Sequence, residues 1–147
     1  MDTEEMARRK LYDLLLTNFP TEYDGVWDND TQVKLENQKF TQPVDEPYLA
    51  AYMIFTQAKP ASIGTLTKFD RHCGFFCIEC QVPADTGMKT LWLMVGAVAR
   101  IFDRIQTTLD NGAYISTGVH RAYQNTSQDG NYFVTVMVPF DIDTCGY

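Results

Sequence analysis

Apolar residues recur at Ala7, Leu11, Leu14 and Leu15, the spacing that turns one face of an α-helix toward a core, and Arg8, Arg9 and Asp13 lie mostly off that face. Asp2 or Thr3 is placed to cap the start, and Glu4 and Glu5 sit where the helix dipole favours anions. The pattern predicts a helix over 3–17, ended by Phe19-Pro20. Residues 20–39 are polar and contain Asp24-Gly25 and Asp28-Asn29-Asp30, so they read as a loop, with short strands expected around Val26-Trp27 and Val33-Leu35.

After the proline-punctuated stretch Phe40 to Pro47, the period changes to two. Tyr48 to Thr56 places Leu49, Ala51, Met53 and Phe55 on one side and Tyr48, Ala50, Tyr52 and Ile54 on the other. Both sides are apolar, which predicts a strand covered on both faces. Residues 57–71 connect it to the next strand, with Ile63 to Phe69 a weaker strand or a long hairpin arm. Cys73 to Val82 alternates, with Phe76, Ile78, Cys80 and Val82 against Phe75, Cys77, Glu79 and Gln81, until Pro83 stops it.

Thr86 is placed to cap a second helix over 87–106, whose apolar positions are Met88, Leu91, Trp92, Val95, Val98, Ala99, Phe102 and Ile105. Asp110-Asn111-Gly112 marks the turn out of it. Tyr114 to Tyr123 and Tyr132 to Phe140 read as two strands of a hairpin turning through Gln128-Asp129-Gly130-Asn131, and the tail from Asp141 to Tyr147 as loose chain. This order predicts a single α+β domain over 1–147. A mixed or antiparallel β-sheet packs against two main helices, the N-terminal one and the long central one, and a C-terminal β-hairpin closes it.

Composition narrows the function. Of 147 residues, 45% are hydrophobic and 21% charged, which places the chain in the globular class. The apolar runs are far shorter than the ~20 residues needed to cross a bilayer, so no membrane role is expected. Leu14-Leu15-Leu16 is too short for the core of a signal peptide, which predicts an unexported protein with reduced thiols. A net charge of −7 argues against a sequence-independent nucleic-acid binder, which needs clustered cations to displace counterions from phosphates.

The sharpest chemical cluster is His72-Cys73-x3-Cys77-x2-Cys80, since thiolate and imidazole ligands suit tetrahedral zinc. In a strand, however, Cys77 and Cys80 point to opposite faces, and small buried hydrophobes account for all three thiols. A thiol enzyme would need one of them beside His72 or His120, or at a helix start. Asp85-Thr86-Gly87 lacks the lysine of a phosphate loop and reads as a helix cap. Aromatic residues make up 13% of the chain, and Tyr114, Tyr123 and Tyr132 are candidates for an interface.

Several short motifs fall in order between Pro47 and Phe102. They are Pro47-Tyr48-Leu49, then Gly64, then Arg71-x2-Gly74, a strand with Ile78 and Val82, Pro83-x3-Gly87 and the long amphipathic helix. With the N-terminal helix and the closing Val138-Pro139-Phe140, this sequence resembles the minor tail proteins of long-tailed bacteriophages, and in particular the tail terminator group of the phage lambda U protein. The resemblance implies a structural virion protein, not an enzyme, without cofactor or catalytic residue. It implies a hexameric ring that caps the head-proximal end of the tail tube and stops tube polymerisation. The implied partners are other copies of the chain, the tail tube protein and the head–tail connector, with DNA passing through unbound. The implied location is the virion tail, after assembly in the host cytoplasm. Two alternatives stay open: a head–tail joining (neck) protein, and a zinc- or thiol-dependent module using Cys73, Cys77 and Cys80.

A ring requires a heterologous interface, one surface of each subunit docking on a different surface of its neighbour. Of the two candidate arms, the polar 20–39 loop and residues 59–72, the second carries the candidate assembly residues Lys59, Lys68, Asp70 and Arg71.

Overall fold

The computed structural model describes residues 3–23, 25–43, 45–60, 68–83, 87–126 and 132–146. In chain order the elements are α1 (Thr3–Tyr23), α2 (Asn29–Gln32), β1 (Val33–Lys34), β2 (Tyr48–Pro60) and β3 (Lys68–Val82). They continue with α3 (Met88–Phe102), β4 (Gln106–Thr108), β5 (Tyr114–Thr117), β6 (Arg121–Thr126) and β7 (Tyr132–Gly146). The strands form one sheet in the order β1-β2-β3-β7-β5-β4, with β6 also paired to β7. Among the described residues only the β1–β2 pair is parallel, so the sheet is mixed and the fold α+β, as the order of elements predicts.

Helix α1 buries Ala7, Leu11, Leu15 and Phe19, one residue per turn. It does not end at Phe19-Pro20 but runs through Pro20 to Tyr23. Proline cannot donate to the carbonyl four residues back. Here that carbonyl, on Leu16, accepts the side-chain amide of Asn29 at 2.7 Å. Asn29 is held in turn by the Trp27 indole, which donates to its Oδ1 at 3.0 Å. Trp27 packs on Phe19 with ring centroids 4.6 Å apart. The expected 20–39 loop is therefore an ordered return over the helix end. It contains α2, capped by the Asp28 side chain, and then β1, whereas Val26-Trp27 forms no strand.

The spine is the antiparallel pair β3–β7, in register from Lys68↔Gly146 to Val82↔Tyr132. Residues 141–146 of the expected loose tail thus belong to β7, and Tyr147 lies outside the described residues. The alternation of Asp141, Ile142 and Asp143 puts Ile142 wholly in the core, which fixes this segment as strand. The expected single strand Tyr114 to Tyr123 is split into β5 and β6, both paired to β7. The split falls opposite Pro139. Its carbonyl accepts from Gly118 at 2.9 Å, and its ring nitrogen has no hydrogen to continue the ladder on that side.

One sheet face carries Leu49, Ala51, Phe76, Ile78, Val136 and Val138, and both long helices pack there. Phe76 touches Tyr12 of α1 at 5.7 Å and Phe102 of α3 at 5.1 Å, measured between ring centroids. Helix α3 stops at Phe102, not at 106. Arg104 adopts φ 55°, and the Thr117 hydroxyl accepts from the Ile105 amide at 2.9 Å. Asp110-Asn111-Gly112 is then the turn of the β4–β5 hairpin, with Gly112 at φ 85°. Thr86, expected to cap α3, lies outside the described residues. The cap position is Gly87, at φ 89° and without a side-chain cap.

Candidate assembly surface

The opposite face of the sheet holds the candidate site, because both long helices use the other face. Register places Ile54 beside Phe75 and Pro139, and Tyr52 beside Cys77 and Met137, in one apolar band across β2, β3 and β7. Tyr123 of β6 extends the band beside Thr135. Ile54 is 41% exposed and Tyr123 48% exposed. The expectation that β2 is covered on both faces therefore fails beyond its first residues. Phe40 packs against Tyr48 in a tilted pair with ring centroids 5.5 Å apart and Ala50 is buried, but Ile54 faces water.

Tyr114, Tyr123 and Tyr132 are all exposed, at 44, 48 and 41%. Tyr114 and Tyr123 share this outer face. Tyr132, in register with Val82, belongs to the helix-bearing face at the far end of the sheet.

The band continues into an arm. Strands β2 and β3 extend well past the expected Thr56 and Cys73, to Pro60 and back from Lys68, and the end of β7 runs beside them. Of the segment Ile63 to Phe69, expected as a weaker strand or a long hairpin arm, Lys68 and Phe69 belong to β3, and residues 61–67 lie outside the described residues. Arg71 forms a two-pronged pair with Asp143 of β7, at 2.8 and 3.3 Å. That carboxylate raises the Arg71 pKa above its ordinary value. On the other side of the arm, His72 Nδ1 lies 3.1 Å from the Glu4 carboxylate of α1. The arm is thus braced from both faces. Lys59 is in register with Arg71 and Asp70 with Pro60, while the side chains of Lys59, Lys68 and Asp70 lie outside the described residues.

Gly74, one element of the Arg71-x2-Gly74 motif, sits at the root of the arm. A bulge between Phe55 and Gln57 folds the β2 backbone over it. A Cβ added at Gly74 would collide with the Ile54 carbonyl oxygen. The close approach explains why glycine occupies this position.

Cys73, Cys77 and Cys80 do not converge. Cys77 faces outward between Tyr52 and Met137, and Cys80 faces the core between Leu49 and Val134. Cys73 shares Cys77's face but lies four residues away, on the order of 13 Å along a strand. Burial pushes the Cys77 and Cys80 thiols up, so both stay protonated. Burial likewise pushes the Tyr52 hydroxyl up to about 12. Among the described residues, no three His, Cys, Asp or Glu side chains gather as metal ligands. The Nδ1 atoms of both histidines face carboxylates, with His120 2.8 Å from Asp103.

Sequence reasoning misplaced one residue of consequence. Trp92 fits the apolar rhythm of α3, yet it is 46% exposed beside Leu93 at 50%. The buried face is Leu91, Met94, Val95, Val98 and Phe102, widened by Ala97 and Ile101. The signal was available: Trp92 shares its stripe with Lys89 and Gly96.

No helix among the described residues is long and apolar enough to cross a membrane. One solved protein structure superposes with a TM-score of 0.60 over 89% of this chain and 94% of that chain. Its 18% identity makes this a likeness of fold. No curated protein sequence matches the chain. Residues 11–140 match the profile of phage tail terminator proteins, a structural family of the virion. That match spans α1 to β7, including the root of the arm and the exposed sheet face, and the chain belongs to the phage tail terminator protein family.

Proposed function

We propose that the protein closes into a hexameric ring at the head-proximal end of the tail tube, stops addition of tube subunits and presents a surface to the connector. The observation that carries this reading is the apolar band around the exposed Ile54 and the half-buried Phe75, on the sheet face opposite the two long helices. Contiguous exposed apolar surface of this kind marks an association site. The band leads into the braced arm, and we assign the arm residues Lys59, Lys68, Asp70 and Arg71 to contact with a neighbouring subunit or the tube. DNA passes through the ring unbound, and no cofactor takes part.

Native mass determination and negative-stain microscopy, on the protein alone and mixed with tail tubes, test the reading. A six-fold ring, free or seated on one tube end, is the expected result. Binding to heads, with free tails of normal length, would instead assign the protein to head–tail joining. Reversing Lys68 and Arg71 to Glu should keep the fold and abolish ring formation or tube binding. Arg71→Gln controls for loss of the Asp143 pair, and unchanged assembly by the double reversal removes the arm from the interface.

A further inference from the structure

A cyclic ring needs two different surfaces on one subunit, each complementary to the other. The outer sheet face supplies one. The layer on the opposite side supplies a second, the solvent stripe of α3, where Lys89, Trp92, Leu93 and Gly96 follow helical spacing. Trp92 and Leu93 are about half exposed, at 46 and 50%. An exposed tryptophan is the residue type that anchors buried interface centres, and Leu93 beside it adds apolar surface. The two surfaces lie on different layers of the domain, so their contact is heterologous and forms a ring where the rotation between copies closes.

On the outer sheet face there is a groove of about 310 Å3 at the β1–β2 end. Its lining includes Lys34, Glu36, Ala50, Tyr52 and Glu79. Ala50 gives it a small-residue floor, and Tyr52 gives it an aromatic wall. Two carboxylates, Glu36 and Glu79, stand there against one cation, Lys34. The Glu36 carboxylate is engaged within the chain, accepting from the Tyr12 hydroxyl at 2.9 Å and the Met53 amide at 2.7 Å. Glu79 receives only the Gln81 amide, at 3.3 Å, and forms no ion pair among the described residues. Lys89, one turn before Trp92, is exposed and likewise forms none.

We infer that the ring contact seats Trp92 of one copy in the Ala50–Tyr52–Glu79 groove of the next copy, with Lys89 of the first against Glu79 of the second. This assignment rests on the ring reading and names its interface. Leu93 covers the groove's apolar border toward Ile54, and the indole N–H gains the carboxylate side of the groove as acceptor. The occupant is a second copy of this chain, because the chain carries both halves of the complement.

The test uses the full-length protein, with folding checked by circular dichroism and assembly followed by native mass against concentration. Trp92→Ala should raise the concentration for half-assembly by about thirtyfold, as loss of an interface anchor does. Glu79→Lys and Lys89→Glu should each raise it by about tenfold or more, through like charges brought together. The double variant Glu79→Lys/Lys89→Glu should recover assembly. An equimolar mixture of the two single variants should recover it as well, since each copy meets its complement in the other. Neither recovery follows from a merely structural role for these residues. The inference is overturned if the three single variants assemble like the wild type, or if the folded double variant and the mixture stay as weak as the single variants. A wild type that is monomeric at every concentration and on tube ends overturns it too. Assembly untouched by these changes refutes this docking alone, whereas the terminator reading fails separately, if tails made without the protein have normal length.

Discussion

The Asn29 side-chain amide donates to the Leu16 carbonyl at 2.7 Å, occupying the acceptor that Pro20 leaves without its helical donor. A side chain thirteen positions along the chain thus completes the last turns of α1 and pins the return segment that leads to β1. Asn29→Ala should destabilise the protein by about 1 kcal/mol, the net worth of one hydrogen bond. In a Pro20→Ala background, where the backbone supplies the donor, the same change should cost clearly less. A double-mutant cycle by urea unfolding measures the coupling, and additive effects would contradict it.

Gly74→Ala should destabilise the chain by roughly 1–3 kcal/mol, because the new Cβ meets the Ile54 backbone as well as the buried Phe140 ring. The damage should be local to the root of the arm. Hydrogen exchange would show it as lost protection in β2 and β3 near the bulge, with α3 protected as before.

Thiol labelling should separate the cysteines. Cys77 and Cys80 are fully buried with raised thiol pKa values, whereas Cys73 is half-buried on the outer face. In the native protein an alkylating reagent should reach Cys73 and reach Cys77 and Cys80 only on unfolding. Rapid native labelling of Cys80 would contradict its placement in the core.

Stability should fall at alkaline pH for an identifiable reason. Burial raises the Tyr12 and Tyr52 hydroxyls above their ordinary value of 10.0, Tyr52 to about 12. The folded state therefore keeps protons that the unfolded chain releases, so the stabilisation is full below about pH 10 and is lost as pH rises through the folded values. Replacing both tyrosines with Phe should flatten the loss between about pH 10 and 12 in denaturant titrations. An unchanged slope would assign alkaline unfolding to other groups.

The regular elements were legible because one periodicity dominated each. Phe76, Ile78, Cys80 and Val82 alternate without interruption, and Ala7, Leu11 and Leu15 keep a single stripe. The errors arose where distant partners overrode local signals. Pro20 stays helical because Asn29 supplies a donor, and Asp141 to Cys145 is strand because β3 lies beside it. Trp92 was misassigned because α3 carries apolar residues around most of its circumference, and only burial tells a core tryptophan from an exposed one. The candidate assembly surface is half visible in the sequence. The tyrosines and the arm were named from sequence, but the apolar band at Ile54 and Phe75 depends on which face the helices choose.

The length distribution of tails made without this protein tests the central claim most directly. A terminator is the stop signal for tube growth, so its loss should give abnormally long tails that the wild-type chain shortens to one uniform length when resupplied. Tails of normal, uniform length in its absence would contradict the account.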